Sequence, residues 1–157
     1  MKELLNTQKT AFIASINEDN MPQASYAPYI IIKDKIYIYI SKVAEHYKNL
    51  ENNKNVSLMI IEDETNSKVL FARKRLTFKG EALKLKDVPI EVKQKFEDIH
   101  TKNMMEVLYK MDFDFFEIQI IEGRLVEGFG KAYELVYNLD INDWKQKHIV
   151  IDKPHNK

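Results

Sequence analysis

The sequence predicts a mainly β protein, a small antiparallel barrel with peripheral α-helices. Three observations carry that prediction. Six or seven short runs rich in Ile, Val, Tyr and Phe are separated by polar turn signals. Helical periodicity is confined to a short opening segment and two later stretches. With only four glycines and four prolines, and no linker, repeat or low-complexity segment, nothing divides the 157 residues. They read as one domain, 1–157, ending in a short C-terminal tail.

In chain order, residues 1–7 predict a short amphipathic helix with Leu4 and Leu5 inward. "TAFIASIN" (10–17) reads as a strand, "EDNM" as a turn and "QASYAPYIII" (23–32) as a second strand, in which Pro28 signals an edge, bend or bulge. "KDK" is a tight turn. "IYIYIS" (36–41) is so continuously apolar that both faces of this third strand should be covered. "KVAEHYKNLENN" (42–53) predicts a helix with Ser41 as N-cap and Val43, Tyr47 and Leu50 as its inward stripe. "VSLMIIED" (56–63) is a fourth strand, and "LFARKRLTFKG" (70–80) opens a fifth that runs to about Leu85. Residues 89–108 carry Val92, Phe96, Ile99 and Val107 at helical spacing, as one long helix or a helical pair. "FDFFEIQIIEG" (113–123) and "KAYELVY" (131–137) complete the strands, and the tail begins at Leu139.

Composition excludes several functions. The formal net charge is zero, with 24 acidic against 24 basic residues, which argues against a bulk nucleic-acid binder. No apolar run is long enough to span a bilayer and the N-terminus lacks a signal pattern, so a cytoplasmic protein without a membrane partner is expected. The absence of cysteine removes disulfides, thiolate nucleophiles and thiol-ligated metals.

Four groups of residues could carry chemistry. Only three arginines occur among the 24 basic residues, and Arg73 and Arg75 share one apolar-flanked run. As a strand, period two puts Phe71, Arg73, Arg75, Thr77 and Lys79 on one face, a fixed strip for an anion. Arginine suits it because its planar fork bonds phosphate or carboxylate in two places. A solvated basic edge strand is the plainer reading, and spacing alone leaves both open. Second, Ser41 leads into a helix whose first turns carry Lys42, His46 and Asn49, where N–H groups attract anions. An ordinary cap with a polar row is the alternative. Third, three of the four glycines cluster in 123–130 beside Arg124, marking either a bend or the close approach of something flat. Last, His148 and His155 flank "IVIDKP" in the tail, and a neutral imidazole can ligate haem iron. No serine-nucleophile or zinc pattern is present.

The blocks "SYAPYIIIKDKIYIYISKVAEHYKNLENNKNVSLMIIEDE", "FARKRLTFKGEA" and "DFDFFEIQIIEGRLVEGFGKAYEL" resemble the pyridoxamine 5′-phosphate oxidase-like superfamily, across residues 8–137. That is the antiparallel FMN-binding split barrel, a homodimer with two cofactor sites at the subunit interface. Within it the "GR-V-GFG-AY" block is most similar to the HugZ-type branch, whose members bind and degrade haem. HugZ-type proteins commonly carry an additional domain without counterpart here. The resemblance implies cofactor contacts from Ser41 and the His46–Asn49 turn, and from Arg73, Lys74 and Arg75. It implies His155 as the axial ligand of haem b. The function it implies is haem breakdown with O2 and an external electron donor. An FMN-dependent oxidoreductase and a non-enzymatic haem or flavin binding protein are the alternatives, because both cofactors present anionic groups and a flat ring.

Overall fold

The computed structural model describes residues 1–150. In order it comprises α1 (Lys2–Thr7), β1 (Thr10–Ile16), β2 (Pro22–Ile32), β3 (Lys35–Ser41), α2 (Glu45–Asn52), β4 (Asn55–Ile61), β5 (Arg75–Lys84), α3 (Ile90–His100), α4 (Lys102–Leu108), β6 (Phe113–Gly128), β7 (Lys131–Asn138) and β8 (Asp143–His148). The strands form one antiparallel sheet in the order β3-β2-β1-β4-β5-β6-β7-β8. Pairing of β3 with the first half of β6, from Ser41↔Phe113 to Lys35↔Gln119, closes β1–β6 into a barrel. The second half of β6 stays paired with β5 but exchanges β3 for β7 on its other edge, so that β7 and β8 extend the sheet as a hairpin.

Alternation explains the closure. Ile36, Ile38 and Ile40 of β3 point into the barrel, where they meet Ile13, Leu58, Ile60, Leu76, Phe78 and Phe116. Tyr37 and Tyr39 point outward, yet they are buried by a second core under α3 and α4 containing Val92, Phe96, Met105 and Phe115. The continuous apolar run of β3 is thus covered on both faces, as expected. Gly80 is required where β5 and β6 shift register, because a Cβ there would collide with the Gln119 carbonyl oxygen.

Several expectations are corrected. Ser41 is not a helix cap: α2 starts at Glu45 behind Ala44, and the Ser41 hydroxyl donates to Asp112 Oδ1 at 3.2 Å. Val43 therefore stays outside the helix and is 86% exposed rather than inward. The fifth strand begins at Arg75, because Leu70–Ala72 form a 3-10 turn that breaks the alternating face at Arg73. Residues 89–108 are a helical pair, parted at Thr101, which has φ +71° and caps α4 by accepting a bond from the Met104 N–H. Val107 is exposed. The tail contributes β8, a Lys-rich edge strand.

Candidate functional site

The strand directions give the barrel two distinct ends. The first turns of the site suggested by Ser41, His46 and Asn49 lie at the end where β3 finishes, β4 starts and α2 packs. Arg73, Lys74 and Arg75 lie at the other end, where β4 finishes and β5 begins opposite Ile61. β4 spans the gap with seven residues, roughly 20 Å at strand rise. A single chain therefore does not bring the two groups of predicted residues together.

At the arginine end the chain is held by Glu62. Its backbone carbonyl accepts from Arg73 Nη2, and its carboxylate accepts the Lys74 N–H at 2.9 Å. Arg75 Nη1 donates to the Arg73 carbonyl at 3.1 Å. These bonds orient both guanidinium groups while using only part of their donor capacity. The Nε of Arg73 is buried and has no partner among the described residues. A buried, unpartnered N–H is costly, so this one marks a place for an acceptor. Lys74 diverges: its ammonium lies 3.9 Å from the Glu3 carboxylate of α1.

Arg75 and Thr77 face outward, toward a row that sequence reasoning missed. Cross-strand register places Tyr26, Phe12, Met59, Thr77 and Arg124 side by side over five strands. Phe12 is 55% and Tyr26 64% exposed, so an aromatic surface runs directly into a cationic edge. The signal was present in "TAFIASIN", where Phe12 sits out of phase with the inward Ala11 and Ile13. An aromatic on the solvent side of a barrel strand points to a partner for that face. Apolar surface beside oriented guanidinium groups fits a flat ring bearing carboxylates or a phosphate.

At the α2 end, Asn49 is buried and its amide Nδ2 donates to Ser15 Oγ at 3.0 Å and to Gln23 Oε1. Both hydrogens are thereby engaged within the protein, and Asn49 anchors α2 to β1 and β2. His46 is half-buried, and desolvation lowers its pKa, so it presents a neutral imidazole rather than a cation. Among the other histidines, Nε2 of His100 lies 3.0 Å from the Tyr29 carbonyl oxygen and Nε2 of His148 lies 2.8 Å from that of Gly130. His148 pairs with Tyr133, which is in register with the inward Leu125 and Leu76, so it occupies the sheet face opposite Arg75. His155 lies outside the described residues. No helix among the described residues is long and apolar enough to cross a membrane.

A closed barrel of six antiparallel strands with this topology is a split barrel, and the family model for pyridoxamine 5′-phosphate oxidase matches residues 1–127. The chain belongs to that family. It is 36% identical over 143 residues to heme oxygenase HutZ of Vibrio cholerae, covering 86% of this chain and 78% of that protein. The crystal structure of ChuZ from Campylobacter jejuni superposes with a TM-score of 0.83 and 28% identity, covering 99% of this chain. The chain spans 63% of ChuZ's length. The structure of Vibrio cholerae HutZ, there called a heme storage protein, gives a TM-score of 0.75 and 32% identity over 81% of this chain and 92% of that one.

Proposed function

We propose that the protein binds haem b and degrades it with O2 and electrons from an external donor. The observation that carries this reading is the pair of oriented arginines, one with a buried Nε that has no partner among the described residues, at the edge of an exposed aromatic face. That arrangement selects a flat apolar ring with anionic substituents, and the kinship with HutZ favours haem over FMN.

The two ends of the barrel become one site in a homodimer. A twofold axis lying in the plane of the Phe12–Tyr26–Met59 face and perpendicular to its strands turns two such faces toward each other and reverses the strand direction, carrying the α2 end of one copy toward the arginine end of the other. Such pairing also covers the exposed aromatics. In this arrangement Arg73 and Arg75 hold the propionates, the aromatic row lines the ring and excludes water, and Ser41 and His46 offer neutral hydrogen-bonding groups from the second copy. Lys74 adds positive potential at the same end, and Asn49 holds α2 in place. The family resemblance assigns the iron to His155. Haem itself supplies the redox centre at which oxygen reacts; the chain's residues bind it, orient it and shield it.

The test is addition of hemin to purified protein, followed by a reductant in air. A Soret band that decays as bilin absorption grows supports the proposal. A Soret band that persists under reductant identifies a haem storage protein, the reading that the name of the HutZ structure favours. Tight FMN binding with no Soret band would identify a flavin-dependent oxidoreductase, as the family model's name suggests.

A further inference from the structure

Away from the aromatic face, α1, the β2–β3 turn and the β7–β8 hairpin line a half-open cavity of about 430 Å³. This lies within the roughly 300–1,000 Å³ range of small-molecule sites. Its walls are apolar, formed by Leu5, Ile31, Leu135 and Trp144. The Trp144 ring packs on Phe78 of the barrel core at 5.8 Å, and its indole N–H donates to the Lys33 carbonyl at 3.1 Å, so this wall is fixed.

The mouth carries the donors Lys33 and Asn142, the Gln146 amide and the Asp143 carboxylate. Asp143 is neutralised by Lys2 at 3.0 Å. Asn142 Oδ1 accepts from the Tyr137 hydroxyl, which leaves the Asn142 NH2 available. Lys33 lines the same mouth and forms no ion pair among the described residues. A half-open, largely apolar pocket whose mouth offers an ammonium and the NH2 groups of Asn142 and Gln146 is complementary to an alkyl chain ending in a carboxylate. We propose that this cavity is a second ligand site, distinct from the haem site, that takes an apolar monocarboxylate. The inference is independent of the haem reading.

Trp144 is the only tryptophan of the chain, so its fluorescence reports occupancy directly. Decanoate, titrated into the full-length protein below its micelle concentration, should shift the emission saturably. Decanol should bind about tenfold more weakly, and decylamine should not compete, because neither can accept from the mouth's donors as a carboxylate does. Lys33→Asn should weaken decanoate about three- to tenfold. Asparagine suits the positive φ of 56° at this turn, so the variant folds. Absence of a saturable shift, equal binding of decanol, or unchanged affinity in Lys33→Asn would each overturn the proposal.

Discussion

Guanidinium chemistry decides the residue scale. Arg75 donates one N–H to a backbone carbonyl and has further donors in a fixed fork, which a lysine does not offer from one fixed position. Arg75→Lys preserves charge but removes the fork. Haem affinity should fall about ten- to a hundredfold, the equivalent of a charge-assisted hydrogen bond of about 1.5–3 kcal/mol, with little change in Tm. A Soret titration and a thermal melt read the two effects separately, and unaltered affinity would remove Arg75 from the site. His46 supplies a second residue-scale expectation. Burial lowers its pKa below the ordinary 6.5, so between the folded value and 6.5 the unfolded chain binds more protons. Its contribution to stability is therefore complete above about pH 6.5 and is lost as pH falls from there toward the folded value. Urea midpoints should rise from about pH 5 to about pH 7.5, and His46→Gln should flatten that rise. An equal slope in the variant would place the effect elsewhere.

At the scale of elements, the helical pair covers the outer face of β3. Phe96 is buried edge-on to Tyr39 at 6.4 Å and Phe115 at 5.3 Å. Phe96→Ala should cost about 3–5 kcal/mol and loosen α3 and α4 over an intact barrel. Denaturant unfolding followed by near-UV dichroism measures this, and a loss below about 1 kcal/mol would mean that the second core contributes little. The sequence revealed such elements where burial was strong. The two-faced "IYIYIS" and the Val92–Phe96 stripe were legible because both faces, or one stripe, had to be apolar. β8 was not, since "DWKQKH" is an edge strand held by β7 with its side chains largely in solvent. The true start of α2 was hidden because the Ser41 hydroxyl bonds to Asp112, a residue 71 positions away that only the fold brings near. The break at Arg73 likewise depends on Glu62, eleven positions earlier.

For the whole molecule, the arginines were legible as a composition anomaly, whereas the aromatic row was not. It exists only through the register of five strands, and none of Tyr26, Phe12, Met59, Thr77 or Arg124 announces its neighbours locally. The roughly 20 Å between the arginine end and the α2 end is a property of the closed barrel, and the proposed site, which draws on both ends, therefore requires a second copy. The most direct measurement is a haem titration at the Soret band on wild type and Tyr26→Glu, each with sedimentation at the same concentration. A buried like charge on both copies of a self-complementary face should separate them. The wild type should sediment as a dimer and bind stoichiometric haem, and the variant should sediment as a monomer with affinity reduced about a hundredfold or more. A folded monomer of Tyr26→Glu that binds haem as tightly as wild type would contradict the shared site.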